Sequence, residues 1–250
     1  MTRPVPILMF HSISVAPEGA RTPSLYVSPR RFRSYVDLLA RLGYRGVSVG
    51  ELTRRRLEGE EHYAKEKEKL VGITFDDGYA DNVEEALPVL REYGFTATCY
   101  VTSGSIGAFN AWDADVLRVR TRMMTRRQVR AWHDAGMEVG AHTLSHCDLS
   151  ACAGEREVHE EIVGAKAMLE DLIGSDVSHF SYPFGRYDLR AVAAVRAAGF
   201  ATAVTVREGR ARRTDDRLAL PRLYVGGNYL MPLVLARVLT PLGDWAPRGP

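Results

Sequence analysis

The sequence predicts an α/β chain whose parallel sheet closes, or nearly closes, into a (β/α) barrel of seven or eight strands. Three observations carry that reading. Short apolar runs rich in β-branched residues alternate with longer amphipathic stretches, as in a parallel sheet covered by helices. Gly43, Gly94, Gly136 and Gly199 each follow an amphipathic stretch and precede an apolar run, where helices end. The length of 250 residues suits a barrel that folds as one domain, because such barrels routinely use about 200–250 residues.

In chain order, the first strand is expected at 6–10, an apolar run cut off by His11. Ser28 before Pro29 is an N-cap followed by proline in the first turn, opening a helix over 29–42 that Gly43 ends. A second strand is expected at 46–49 and a third at 71–75, the latter stopping at Asp76. The helix over 80–93 closes on Gly94 before a strand at 96–101, and the helix over 125–135 closes on Gly136 before a strand at 137–141. The longest amphipathic stretch, 155–172, leads to a strand at 179–182 that Pro183 stops. A helix over 189–198 ends at Gly199 before a strand at 201–206, then a strand at 220–225 and a helix over 230–239 complete the series.

Composition narrows the function. Hydrophobic residues make up 46% of the chain, enough to fill a core and to exclude dominant disorder. Lys plus Arg number 33 against 31 Asp plus Glu, a net charge of +2, which argues against a nucleic-acid partner. Cys99, Cys147 and Cys152 form no C-x-x-C pair, so neither a disulfide framework nor a thiolate zinc site is expected, and a reducing compartment fits. The apolar run at the start is too short for a secretory segment, so a cytoplasmic location is expected. The apolar stretch 229–242 contains Pro232, Arg237 and Pro241 and is shorter than the roughly 20 residues of a spanning helix. No membrane span is expected; a role at a membrane surface stays open, although closing the barrel is the simpler use of this stretch.

Two charged stretches read first as solvated faces: 58–69, which mixes signs, and the arginines at 118, 120, 122, 126, 127 and 130. The arginines could alternatively meet an anionic substrate group. The tail after Trp245 is expected to fray.

The chemistry-bearing motifs lie at strand ends. Ile73-Thr74-Phe75-Asp76-Asp77-Gly78-Tyr79 ends an apolar run in two adjacent carboxylates and a glycine. Neighbouring strand side chains point to opposite faces, so both acids serve one site only where the strand breaks, and Gly78 is expected to supply the break. The carboxyl ends of barrel strands form the catalytic face. An isolated Asp-Gly would read as a helix cap. Gly140-Ala141-His142-Thr143-Leu144-Ser145-His146 follows another strand with two histidines four apart. In a helical turn that spacing sends both imidazoles to one side, where with a carboxylate they form a facial set for one metal ion. Phe180-Ser181-Tyr182-Pro183-Phe184-Gly185 is a rigid aromatic turn whose backbone N–H groups could face an oxyanion.

Together, Thr74-Phe75-Asp76-Asp77-Gly78, His142-Thr143-x-x-His146 and Tyr182-Pro183-Phe184-Gly185, in this order, resemble the polysaccharide deacetylase family, also called the NodB homology domain or carbohydrate esterase family 4. The resemblance spans roughly residues 5–225, leaving 226–250 as a C-terminal helix and tail of the single domain 1–250. It implies a distorted (β/α) barrel, hydrolysis of N-acetyl groups on amino sugars, and a divalent metal, zinc being the expected ion. It also implies Asp76 as general base, with Asp77, His142 and His146 holding the metal. Tyr79, Tyr182, Pro183, Phe184 and Gly185 are expected to line the substrate.

Many relatives carry an arginine where this chain has Ser181, and a late Leu-x-His; neither is present. Leu220-Pro221-Arg222 resembles a late Pro-Arg of one subgroup, making Arg222 the candidate partner of Asp76. Met9-Phe10-His11-Ser12 resembles the Tyr-His segment of the exopolysaccharide-type members, making His11 the candidate acid. The backbone N–H of Phe184 is the expected oxyanion donor.

The expected function is metal-dependent removal of N-acetyl groups from an amino sugar in a glycan, oligosaccharide or glycolipid. Hydrolysis of another non-peptide C–N bond, such as a ring amide, is the alternative; a non-catalytic glycan-binding module fits the two acids and two histidines less well. Cys147, beside His146, reads as packing, and no G-x-S-x-G elbow, H-E-x-x-H or phosphate loop is found.

Overall fold

A computed structural model describes residues 3–57, 68–117 and 119–244. Most of the stretch 58–69, Arg118 and the tail after Trp245 lie outside the described residues. The strands are β1 (Ile7–Phe10), β2 (Tyr44–Val47), β3 (Lys69–Phe75), β4 (Thr98–Val101), β5 (Glu138–Ala141), β6 (His179–Ser181), β7 (Thr202–Glu208) and β8 (Leu220–Tyr224). All their pairings are parallel. The order β1-β8-β7-β6-β5-β4-β3 is closed by pairing β1 to β3 from Ile7↔Gly72 to Phe10↔Phe75, giving a seven-stranded barrel.

The eighth strand stands outside the ring. β2 takes the lower part of one edge of β3, Tyr44↔Lys69 to Val47↔Gly72, and β4 takes the upper part, Thr74↔Thr98 and Phe75↔Cys99. The sequence places this strand two residues too late. Ser48 accepts a hydrogen bond from the Glu51 amide at 3.2 Å, so Val49 begins a short helix, α2 (Val49–Leu52), which runs on as a wide turn over Thr53–Leu57.

The helices otherwise fall near their expected positions: α1 (Pro29–Arg41), α3 (Leu87–Glu92), α5 (Arg126–Asp134), α6 (Glu155–Ile173), α7 (Leu189–Ala197) and α8 (Met231–Leu239). Ser28 accepts from the Arg31 amide as an N-cap, and Gly43, Gly94, Gly136 and Gly199 take positive φ after their helices. The stretch expected as one helix over 80–93 is a wide π-type turn, Asn82–Ala86, before α3. Pro88, near the start of α3, has no N–H to continue a regular ladder. A further helix, α4 (Ala111–Leu117), has no counterpart in the sequence reading.

Strand side chains alternate between two environments. Phe10, Phe75, Cys99, Val139, Phe180 and Leu223 pack outward in the main core with helix residues such as Phe32, Trp132, Ile162 and Val195. Ile7, Tyr100, Val204 and Leu220 belong to a second cluster within the barrel, shared with Val47, Val49 and Leu52. At the lower mouth the half-buried Glu138 carboxylate accepts from Thr98 Oγ1 (2.6 Å), Gly50 N (3.0 Å) and Ser48 Oγ (3.2 Å) and lies 3.3 Å from His179 Nε2. Gly50 lets the carboxylate approach: a Cβ there would stand 2.2 Å from Glu138 Oε1, which would have to shift. Among the described residues no helix is long and apolar enough to cross a membrane.

The arginine-rich stretch lies on the outside. Arg120 stacks over Phe109, Arg122 pairs with Glu84, and Arg130 donates to the Leu172 carbonyl. All three cysteines are free, with the Cys147 and Cys152 sulfurs 3.8 Å apart.

Candidate active site

Asp76 continues the inward-facing series of β3 after Thr74, and its amide still pairs with the Phe10 carbonyl at 3.0 Å. The strand breaks one residue earlier than expected. Asp77 itself has φ 72°, followed by Gly78 at 86°, and this left-handed step turns the second carboxylate toward the same opening as the first. Aspartate is among the few residues that tolerate that region. The Asp77 carbonyl accepts from Thr102 N (3.1 Å), which holds the turn. Gly78 adds room: a Cβ there would lie 3.1 Å from the Val101 side chain.

His142 leaves the end of β5, its amide bonded to the Val101 carbonyl. The two histidines converge, but not by the helical turn the spacing suggested. Thr143 and His146 have φ of 61° and 62°, and the intervening backbone is a loop clamped by Glu161 of α6. That carboxylate accepts from the amides of Leu144 and Ser145 and from Ser145 Oγ. His146 N is fixed by Thr143 Oγ1 at 2.9 Å.

The convergence brings His142 Nε2 to 3.4 Å and His146 Nε2 to 3.2 Å from Asp77 Oδ1, all three residues buried. Among the described residues this is the one group of three such donors, each within 4.8 Å of the others. A divalent cation fits the set. One carboxylate oxygen and two imidazole nitrogens are the donor types zinc takes in open catalytic sites. The His142 Nδ1–H donates to the Ser181 carbonyl at 2.7 Å, which fixes the ring so that Nε2 is the nitrogen facing Asp77. Burial alone would raise the Asp77 carboxyl, but hydrogen bonds from His142 and His146 outweigh it and hold the group well below the usual carboxylate range. Burial pushes His142 down, and Asp77 and Asp76 outweigh it, leaving it raised.

Arg222 projects from β8 into the barrel and is fully buried. All five of its donors are used. Nε donates to Thr205 O (2.9 Å), Nη1 to Thr74 Oγ1 (3.1 Å) and Asp76 Oδ1 (2.6 Å), and Nη2 to Asp76 Oδ2 (2.6 Å) and Ser181 Oγ (3.2 Å). Burial works to raise the Asp76 carboxyl; the Arg222 charge and hydrogen bonds overcome it and keep the group below its ordinary value.

His11 sits half-buried at the end of β1, its ring edge-on to Tyr224 at 5.9 Å and its Nδ1 buried. Burial lowers its pKa; the charges of Asp77 and Asp76 act upward, and those of Arg222 and His142 downward.

The expected substrate wall is only partly exposed. Tyr182 is fully buried, because the alternation of β6 sends it toward the helices, where its hydroxyl donates to the Leu218 carbonyl (3.0 Å) and its ring stacks on Tyr187. Tyr79 is 2% exposed, and burial followed by the Asp77 charge raises its phenol well above the ordinary value. Both side chains are as buried as Asp76, Asp77 and His142. Pro183 is buried as well. Phe184 is the residue that reaches the surface, 45% exposed on a left-handed backbone (φ 57°), with its ring 4.6 Å from His146. Gly185 (φ 67°) is held so close to Val206 that a Cβ would stand 2.3 Å from its side chain.

Two residues of the site lie outside the sequence reading. Trp112 of α4 stacks on His146 with ring centroids 4.3 Å apart, and Asp113 beside it is half-buried, its carboxyl raised by burial and then by the Asp77 charge. The arrangement joins a buried Asp77, His142 and His146 set whose donors fit a divalent cation, a carboxylate locked to arginine, and a histidine at one opening.

Comparison with known proteins agrees with this geometry. A sequence profile described as polysaccharide deacetylase matches residues 63–203. The chain is 30% identical over 221 residues to YxkH of Bacillus subtilis, covering 88% of this chain and 71% of that one. Among solved structures it is similar to the Streptococcus pyogenes deacetylase PplD in complex with acetate, with TM-score 0.80, 28% identity and coverage of 96% of this chain and 100% of that one. The fold is also that of IcaB from Ammonifex degensii, with TM-score 0.72, 24% identity, and 89% and 91% of the two chains covered.

Proposed function

The chain belongs to the polysaccharide deacetylase family, and on that footing we propose that it is a cation-dependent hydrolase removing N-acetyl groups from an amino sugar within a glycan, oligosaccharide or glycolipid. One observation carries this reading further than the rest: the Asp76 carboxylate, locked to Arg222 at 2.6 Å on both oxygens, stands next in sequence to Asp77 of the Asp77, His142 and His146 set.

Asp77 Oδ1, His142 Nε2 and His146 Nε2 would hold the ion. Bound there, a divalent cation, zinc being the expected one, supplies Lewis-acid polarisation of a carbonyl and acidification of water from a pKa of about 15.7 toward about 7. Asp76 takes the proton of the attacking water. Arg222 keeps that carboxylate ionised when substrate excludes solvent, and Oδ1, which accepts from Arg222 Nη1, retains a second lone pair for the proton, whereas Oδ2 also accepts from Ser181 Oγ. The backbone N–H of Phe184 faces the oxygen that gains charge as the carbonyl carbon becomes tetrahedral. His11 hands a proton to the departing amine nitrogen, so acetate and a free amino sugar leave. Phe184, the exposed ring of the wall, covers one side of the sugar.

The test is acetate release from N-acetylhexosamine acceptors offered free, as oligomers, as polymer and lipid-linked, before and after chelation. Release from one class, lost on chelation and restored by zinc, is the expected result. Hydrolysis of a ring amide with no acetate released from any acceptor would overturn the reading in favour of other C–N bond chemistry.

A further inference from the structure

His142 and His146 are oriented by different means. His142 gives its Nδ1–H to a backbone carbonyl at 2.7 Å, the usual device for fixing the tautomer and ring angle of a metal-holding histidine. His146 Nδ1 is buried without a hydrogen-bond partner among the described residues. Its backbone gives little help, since it lies in the left-handed region, and the bond from its amide to Thr143 Oγ1 fixes the main chain while leaving the ring free to turn.

Apart from the 3.2 Å contact of its Nε2 with Asp77 Oδ1, what holds the ring is aromatic. The Trp112 indole lies along one face of the His146 imidazole, with centroids 4.3 Å apart and planes 21° apart. Phe184 meets it at 4.6 Å and 76°. A ring covered on a face and abutted by a second aromatic cannot rotate without losing both contacts.

The indole is itself held in register with the histidine loop. Between β4 and β5, Ser103 N donates to the Thr143 carbonyl (3.2 Å) and Gly104 N to the Leu144 carbonyl (2.9 Å), stitching the segment that leads to α4 onto the loop between the two histidines. Gly104 permits that approach, because a Cβ there would stand 2.5 Å from the Leu144 carbonyl oxygen. Farther along, Asn110 N donates to Thr121 O, and Thr121 N to Asn110 Oδ1, closing the base of α4.

We propose that Trp112 is a positioning residue for the cation site: its indole keeps His146 Nε2 aimed at the centre shared with Asp77 and His142, in place of the hydrogen bond that serves His142. The consequence is that cation retention depends on α4, a helix that supplies none of the three donors. This inference rests on the cation reading of the site given above.

The test is titration of the cation-free protein with cobalt(II), followed by visible absorption, for the unsubstituted chain and for Trp112→Phe, Trp112→Leu and Trp112→Ala. Phenylalanine restores a ring face, whereas leucine fills space without one. Trp112→Phe is expected to keep the unsubstituted affinity, and Trp112→Leu and Trp112→Ala to bind about 10-fold or more weakly, the scale of lost outer-shell support, with a changed ligand-field band. Circular dichroism of the cation-free proteins checks folding; if Trp112→Ala does not fold, the comparison of Phe with Leu carries the test. Unchanged affinity and spectrum for Trp112→Leu would overturn this inference alone. Absence of cobalt binding to the unsubstituted chain would overturn the cation reading and this inference with it.

Discussion

Arg222 Nη1 and Nη2 grip Asp76 Oδ1 and Oδ2 at 2.6 Å each, joining the middle of β8 to the end of β3 across 146 residues of sequence. The guanidinium stands where no water reaches it, so the pair is both a structural tie and a way of keeping one carboxylate ionised inside the barrel. Asp76→Asn is expected to lower kcat by about 10²–10⁴-fold, the range general-base catalysis supplies, while the cation content of the purified protein stays unchanged. Acetate release at the unsubstituted rate would remove Asp76 from the proton-transfer step.

Arg222→Leu strands the Asp76 carboxylate without a counterion. The expected loss of stability is about 3–5 kcal/mol, the cost of breaking a buried pair on one side, read from urea unfolding at neutral pH. Replacing both partners, Asp76→Leu with Arg222→Leu, should recover part of that loss. A double variant less stable than Arg222→Leu would contradict the account of the pair.

His142→Ala removes a donor whose orientation is fixed by the Ser181 carbonyl. It should lose both cation and turnover, in contrast to Asp76→Asn. Elemental analysis after gel filtration checks this, and full cation occupancy in His142→Ala would count against the donor set.

The pH profile of kcat/KM separates the two proton-transfer groups. Asp76 acts ionised and its carboxyl lies below 3.8, so activity falls on the acid side only as pH drops through that lowered value. His11 acts protonated and burial lowers its pKa from the ordinary 6.5, so activity falls as pH rises through that lowered value. A bell centred on the acid side of 6.5 is expected, with the alkaline limb missing in His11→Gln. An unchanged alkaline limb in that variant would exclude His11 as the acid.

Asp81 makes the fold itself pH-sensitive. Burial raises its carboxyl to about 6, against hydrogen bonds from Ser12 Oγ and Ile13 N that favour the ionised form. The folded value is above the unfolded value of 3.8. The linked stability is therefore fully present below pH 3.8 and lost as pH rises through about 6, amounting to roughly 3 kcal/mol. Asp81→Asn should flatten that part of the stability curve in urea unfolding between pH 4 and pH 7; a parallel curve would contradict the assignment.

Much of the barrel was legible because its punctuation is local. Ser28 before Pro29 and the glycines that end helices act through their own backbone preferences. The register of β2 was misread because Val47, Ser48 and Val49 look continuous, although Ser48 with Glu51 three residues on is a helix-start signal that would have found α2. The motif carboxylates and histidines could be placed at strand ends, but their convergence depends on left-handed backbone at Asp77, Thr143 and His146. Tertiary bonds from Thr102 and Glu161 impose those turns, and no local pattern announces them. Strand alternation could have shown that Tyr182 faces the helices once Ser181 faces inward. Trp112 left no trace of its role, since its partner His146 is 34 positions away and α4 has no clear hydrophobic period.

The most direct test of the central claim is anomalous diffraction at the zinc edge from crystals of the protein grown with zinc. The account expects one peak at about 2.0–2.2 Å from Asp77 Oδ1, His142 Nε2 and His146 Nε2 together, with Asp76 bonded to Arg222 and not to the ion. A crystal in which these three side chains diverge, or in which zinc binds elsewhere and leaves them empty, would contradict it.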